Sequence, residues 1–476
     1  MERIIYILLI MVIAWSCIED DGNYEYKDPQ EVDFSSMPSE MDLILGEDLF
    51  IAGDIETDAD MADLDFAWYV EGNDEFGHPT FDTLSIDKDL DVIVNIPPGN
   101  GIRLFYSVYN NKLDVHYEKA ISVNVVTPFS TGWGYITDKG GNTEYSFISE
   151  ITGKTYLNAL EAIGGEVLSG KPVRLSYNSD KYEEYNHVVI LTETGGAVYD
   201  GYSGRKIEDL LDRWRSTDKV EFPFIDGAFE YGASHSLALF FAGGKIFPKE
   251  GFHFHQGFWE VPATGDYEAT GPVAHYYEKM IFFDAKYKRY MYINPEDNPW
   301  EVEELSVTNP ETKPFDPENL NKTCLWMRTN VVNGNHAGSN TTMAVLKDDA
   351  GKFYVQEFVN DNSDGFIPLA EVELPGDLDD NSCFDTNPVF PYTYVSAGNV
   401  IHRYNRTTKG IQTDYITVED NITDMYVHND GNMLGVVVDN GAGSKVLILD
   451  LDNNGAVLES YESEDKIVDL KYKRME

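Results

Sequence analysis

Apolar and polar positions alternate along most of the chain at a period of two, the spacing of a strand with one buried face. Between Met37 and Val126, "LDFAWYVEG" sets Phe66, Trp68 and Val70 on one face, "LILGEDLFIAG" breaks at Gly46, and "LDVIVNI" is a nearly unbroken β-branched run. "IRLFYSVYNNKLDVHYEKAISVNVV" reads as a long hairpin with Asn110–Asn111 at its turn, where asparagine tolerates positive φ. Short antiparallel strands around a central tryptophan predict an immunoglobulin-like sandwich.

Beyond Thr127 a different regularity takes over: apolar strand, Asp/Gly/Asn turn, apolar strand. It occurs as "WGYITDKGGNTEYSFI", "HVVILTETGGAVYDG", "LALFFAGGKIFPKEG", "KMIFFDAKYKRYMYI", "TMAVLKDDAGKFYVQEF", "YTYVSAGNVIHRYN" and "MLGVVVDNGAGSKVLILDL". A small meander recurring roughly every fifty residues cannot bury both its faces alone, and stacking such units gives a β-propeller. Seven hairpins argue for seven blades, with eight as the alternative. A second array of sandwiches is the competing architecture and does not require the repeat. Two stretches carry helical spacing: "KIEDLLDRWRSTDK", with Ile207, Leu210, Leu211 and Trp214 on one face, and the shorter "TYLNALEAIGG", which ends on glycines suited to a cap. Both read as helical insertions between blades, so the fold class is all-β with short helical decorations.

Composition agrees with a folded, multidomain chain. Its 476 residues exceed one ordinary core, and 42% are hydrophobic. With 35 Lys plus Arg against 83 Asp plus Glu, the net charge is −48, which argues against nucleic acid as a partner. Three cysteines occur, Cys17, Cys324 and Cys383, and none forms a CxxC pair, which excludes zinc ribbons and thioredoxin chemistry. If Cys17 has another use, at most one disulfide remains, between Cys324 and Cys383.

The N-terminus supplies that use. Arg3 precedes an apolar run, Ile4 to Trp15, of about a dozen residues, short of the ~20 that span a bilayer. "AWSC" then resembles the lipobox of a bacterial lipoprotein, which implies cleavage before Cys17 and lipidation of its thiol. The acidic run Glu19, Asp20, Asp21 resembles the lipoprotein export signal of Bacteroidetes, which implies a place on the outer face of the outer membrane. "DTL", Asp82 to Leu84, resembles the short O-glycosylation motif of that phylum, with Thr83 as acceptor. Taken in order, "CIEDDGNYEYKD", "FAWYVEG" and "LFYSVYNNKLDVHYEKAISVNVV" resemble the PKD-like lipoprotein family of Bacteroidetes, whose members pair this opening and sandwich with a C-terminal propeller. The expected organisation is a signal peptide over 1–16, an acidic export tether over 17–36, a PKD/Ig-like sandwich over 37–126 and a propeller over 127–476.

Catalytic signatures are scarce. The sequence contains no G-x-S-x-G, no H-E-x-x-H and no phosphate-binding glycine loop. Ser234 and His235 in "GASHS" are adjacent, so on a strand they point to opposite faces. His253 and His255 in "GFHFHQGFW" share a strand face and would hold a metal only if a carboxylate joined them; the plainer reading is two polar histidines among aromatics. "DLDNNG", Asp450 to Gly455, imitates the start of a calcium loop, but Tyr461 stands where the bidentate Glu is required, and a tight turn fits better. No cofactor is expected, and calcium has only this fragment behind it. The sialidase-type Ser-x-Asp-x-Gly-x-Thr-Trp box is not matched by "TDKGGNT".

Flat aromatics in turn-like or insertion stretches are the remaining ligand candidates: Tyr182, Tyr185, Tyr202, Phe258, Trp259 and Trp300, with the insertion Phe247 to Trp259 foremost. Each also fits ordinary packing. The expectation is a lipid-anchored, non-enzymatic surface protein that binds an oligosaccharide or peptide. The family resemblance implies a Sus-type uptake system with a TonB-dependent transporter and its lid lipoprotein as partners. A propeller hydrolase, glycosidase or peptidase, is the alternative, and a structural or adhesive protein a third.

Overall fold

The computed structural model describes residues 31–73, 78–162, 167–179, 186–201, 204–214, 222–231, 236–248, 261–276, 279–294, 298–330, 341–361 and 365–474. The chain divides into two compact units, Met1–Val126 and Thr127–Glu476.

The first unit is the β-sandwich. Its larger sheet has five strands in the order Glu40–Ile44, Val115–Val126, Gly99–Asn110, Leu64–Asn73, Pro79–Ser85, antiparallel except for the parallel pairing of Glu40–Ile44 with Val115–Val126. A two-stranded ladder, Asp48–Ile51 with Leu90–Ile93, contributes to the same core. Trp68 is wholly buried and stacks on Tyr106 with ring centroids 4.3 Å apart, an arrangement that adds about 1 kcal/mol beyond area burial. Its indole Nε1 donates to the Lys88 carbonyl at 3.2 Å. Trp68 and Val70 are core residues and Phe66 packs against them, as the period of two predicts.

The second unit is a seven-bladed propeller among the described residues. Blades 2, 4, 5, 6 and 7 are four-stranded antiparallel meanders beginning at Pro172, Ala269, Lys322, Phe384 and Asn421; blade 3, beginning at Phe224, shows three strands. Blade 1 is composite. Its strands Gly132–Lys139, Asn142–Ser149 and Thr155–Tyr156 are completed by the C-terminal strand Lys466–Lys473, which pairs antiparallel with Gly132–Lys139. That strand takes the innermost place, so the innermost strands form a closed ring in which each neighbours the next.

Each of the seven sequence hairpins is the second and third strand of one blade. The reason lies in how blades stack. Seven apolar clusters fill the seven seams between adjacent blades. Successive residues of a middle strand face opposite seams: Ala238 and Phe240 pack toward blade 2, Leu239 and Phe241 toward blade 4. Such strands are buried on both faces and read as continuous apolar runs.

Two expectations are corrected. The stretch from Lys206 is not a helix: Lys206–Asp209 is the outer strand of blade 2 and Leu210–Arg213 one 3₁₀ turn. Leu210 and Trp214 do enter the core, Trp214 against Phe224 and Phe240, but Ile207 stays exposed. The strand edge left by Ala197–Tyr199 pairs with this segment, and tertiary pairing overrides a short helical pattern. In "TYLNALEAIGG", Ala159–Ala162 are helical as expected, and Ile163 to Gly165 lie outside the described residues. The long hairpin turns over residues 111–114 with Asp114, not Asn110 or Asn111, at positive φ (57°). Asn110 instead accepts from the Lys112 and Leu113 amides, both at 3.1 Å.

Cys324 and Cys383 do not pair, and burial pushes both thiols up to about 12.

The seam between blades 7 and 1 has no room for a side chain at Gly435, where a Cβ would lie 2.4 Å from Trp133 Cζ3. Gly435→Ala is expected to lower the unfolding free energy by about 2–3 kcal/mol in urea titration; a change under about 0.5 kcal/mol would contradict this packing.

Candidate functional site in the propeller channel

Five of the seven inner strands share one irregularity. Val173, Ile225, Leu325, Thr423 and Val468 are each an extra residue against the second strand of their blade, a one-residue bulge. A bulge twists a strand and re-aims the side chain that follows. The residues that follow are Arg174, Asp226, Trp326, Asp424 and Asp469, and two residues further on come Ser176, Arg328, Tyr426 and Lys471.

The charged side chains among these, with Tyr426, link neighbouring inner strands. Arg174 of blade 2 holds Asp226 of blade 3 through Nε (2.9 Å) and Nη2 (2.7 Å to Oδ2). Asp469 of blade 1 accepts from Lys471 Nζ and from the Leu175 amide of blade 2 at 2.7 Å. Asp424 of blade 7 accepts from the Leu470 amide of blade 1 at 2.7 Å and from its neighbour Met425 at 2.9 Å. Asp385 of blade 6 accepts from the Val427 amide of blade 7 at 2.6 Å and from Arg328 of blade 5 at 2.5 Å. Arg328 also reaches past blade 6, donating to Tyr426 Oη of blade 7 at 3.0 Å. Lys471 lies 5.0 Å from the Tyr426 ring centroid, within cation–π range.

The carboxylates thus join one inner strand to the next and neutralise cations at the same time. Four carboxyl groups face three cations at close quarters. Burial pushes the Asp424 carboxyl up to about 7; the Asp469 charge adds to this, and Lys471 and two amides partly offset it. Asp226 holds the Arg174 guanidinium above its ordinary value against the pull of burial. Burial works against the Lys471 ammonium too, but Asp469 and Asp424 outweigh it and raise its pKa.

A second buried cation closes the seam between blades 1 and 2. Lys473 Nζ donates to the Phe129 carbonyl at 2.8 Å and to that of Gly201, beside a small cleft lined by Tyr145, Leu160 and Tyr199. Burial lowers its pKa to about 7, with Asp200 opposing. The His428 ring lies against that of Tyr472 at a tilt of 56°, with centroids 3.8 Å apart, and burial lowers its pKa to about 4.

The residues singled out in the sequence are not those of this cluster. Cys17, Glu19, Asp20, Asp21, Tyr182, Tyr185, Tyr202, Ser234, His235, His253, His255, Phe258 and Trp259 fall outside the described residues. Trp300 is half exposed on the outer strand of blade 4, where its carbonyl accepts from the Thr264 amide and hydroxyl at 2.7 and 2.8 Å. Thr83 is exposed on the edge strand Pro79–Ser85, opposite Tyr69. Asp450 caps a tight turn, accepting from the amides of Asp452 and Asn453. Among the described residues no group of His, Cys, Asp and Glu has metal-binding geometry.

The channel cluster was not anticipated, although the sequence holds a trace of it. "PVRL", "FIDG", "ITDM" and "IVDL", from Pro172, Phe224, Ile422 and Ile467, repeat one pattern in which the third residue is charged. Read singly, each is an unremarkable strand start.

A sequence model of the PKD-like family matches residues 17–172. No protein of curated function matches the chain by sequence. Among solved structures, the chain is similar to a quinonprotein alcohol dehydrogenase-like protein from Bacteroides thetaiotaomicron, with 14% identity and a TM-score of 0.46 over 93% of this chain and 99% of that one. TolB from Acinetobacter baumannii aligns at 12% identity and a TM-score of 0.36, covering 80% of this chain and 81% of TolB. The dihydro-heme d1 dehydrogenase NirN aligns at 8% identity and a TM-score of 0.39, covering 85% of this chain and 74% of NirN.

Because burial raises the Asp424 carboxyl above its ordinary range to about 7, the stability this group contributes is fully present below about pH 4 and is lost as pH rises through about 7. Asp424→Asn fixes the neutral form. The stability of the wild type relative to this variant is expected to fall by about 4 kcal/mol between pH 4 and pH 8 in chemical denaturation. The constant cost of the lost acceptor cancels in that difference, and a pH-independent gap would contradict the assignment.

Proposed function

We propose that the protein is a surface-exposed outer-membrane lipoprotein, anchored through Cys17, that binds an oligosaccharide or peptide with its propeller as a non-enzymatic component of a nutrient uptake system. The observation that carries the binding reading is the channel network. Asp226, Asp385 and Asp469 each accept from a backbone amide and from a cation. Side chains locked in this way offer a fixed surface, and preorganisation lowers the cost of binding. The anchor reading rests on the sequence "AWSCIEDD" and is supported by a family match that opens at Cys17. A diacylglyceryl thiol would bury tens of methylenes at ~0.8 kcal/mol each. The TonB-dependent transporter and its lid lipoprotein are the proposed partners. Thr83 is the proposed O-glycosylation site, supported by its exposure on an edge strand.

One observation favours a hydrolase as the second reading: a carboxyl poised near pH 7, as Asp424 is, suits general acid–base work. Both its oxygens accept from backbone amides, which favours the binding role. Release of product from glycan or peptide libraries by the purified protein would select the hydrolase.

Cys17→Ala is expected to move the protein from the membrane fraction to the soluble fraction, and retention in the membrane would refute the anchor. Replacing Glu19, Asp20 and Asp21 by Ala should leave it anchored but protected from protease added to intact cells. Unchanged digestion would refute the export signal.

A further inference from the structure

The charged layer of the channel is asymmetric toward solvent. Arg174, Arg328 and Lys471 keep 35%, 28% and 19% of their side-chain surface exposed, whereas their partners Asp226, Asp385 and Asp469 keep 10%, 3% and 10%. In each of the three pairs the cation is thus the more exposed partner. Each head is immobilised by its ion pair, and Arg328 is further fixed by Tyr426. Arg174 spends Nε and Nη2 on Asp226. One position before this layer stand the bulge residues, of which Ile225, Leu325 and Val468 remain exposed and apolar. These exposed apolar residues and the charged layer beside them stand inside a protein whose net charge is −48.

We propose that the channel takes a carboxylate-bearing ligand, with Arg174, Arg328 and Lys471 receiving the carboxylate and the bulge collar packing against the ligand's apolar face. Fixed guanidinium groups make charge-assisted hydrogen bonds to carboxylates at little ordering cost. Tyr426 adds a phenol held between two of the cations. The acidic exterior repels such a ligand at long range, but this repulsion is screened beyond about 8 Å at physiological salt, while contact inside the channel is not. Two sources share this chemistry, uronate-containing oligosaccharides and acidic peptides. The inference rests on the binding role proposed above and names the ligand class for it.

The test is calorimetry on the full-length protein in detergent micelles with three probes: hexagalacturonate, hexaglutamate and a neutral galactose hexamer. Binding of either acidic probe, with none of the neutral one, is expected, and the stronger acidic probe identifies the source. Arg174→Gln should weaken that binding at least about tenfold and Arg174→Lys about threefold, since the ammonium keeps the charge but loses the fork. If Arg174→Gln lowers the melting temperature enough to unfold the ring, Lys471→Met carries the same comparison. Binding of the neutral hexamer alone, or acidic binding unchanged in these variants, overturns the channel inference and leaves the binding function standing. Failure of all three probes overturns the channel inference; failure of broad glycan and peptide libraries as well overturns the binding function itself.

Discussion

The strand Lys466–Lys473 hydrogen-bonds to Gly132–Lys139, and this pairing turns a row of seven blades into a ring. Without it blade 1 lacks its inner strand and the apolar seam with blade 7 loses a wall. The contacts it makes are among the most distant in the chain: Lys473 reaches Phe129 across 344 residues. Closing a loop of that length costs on the order of 5 kcal/mol in chain entropy. The return comes from several sources in one place. Ile467, Leu470 and Tyr472 fill the seam with blade 7, Asp424 accepts the Leu470 amide, Asp469 accepts the Leu175 amide, and Lys473 ties two carbonyls together.

The same residues build the channel, so closure and the candidate site are not separable. The charged layer sits where the inner strands bulge, and two of its carboxylates, Asp424 and Asp469, tie the closing strand to blades 7 and 2. Burying ion pairs is a weak route to stability, because desolvation offsets much of the attraction. Here the carboxylates also cap amides at the free edges of inner strands, which face the axis without a further strand to pair with. A hydrophobic replacement would leave those amides unpartnered, which is a physical reason for polar residues at the centre of an otherwise apolar ring.

The middle of every blade was legible in the sequence because its strands are buried on both sides and bounded by Gly, Asn and Asp turns. The inner strands were not, because Arg174, Asp226, Asp424 and Lys471 interrupt the apolar period where a bulge also breaks the register. The outer strands were equally hidden: Ala456–Ser463 is exposed along most of its length and carries little pattern. The closing strand gave no local sign of a partner more than three hundred residues earlier. The segment at Lys206 shows the converse, a helical spacing that an available strand edge overrode. For the candidate site, the sequence held its parts in four short repeats, but what makes them a site is convergence of distant strands, which spacing cannot display.

Native-state hydrogen exchange at the Leu470 amide tests the closed ring most directly. If the closing strand and the Asp424 cap hold as described, Leu470 exchanges only through global unfolding of the propeller, with the same free energy as Val437 in the middle of blade 7. Exchange of Leu470 at a free energy several kcal/mol below that of Val437 would show a closing strand that opens on its own, and would contradict the account.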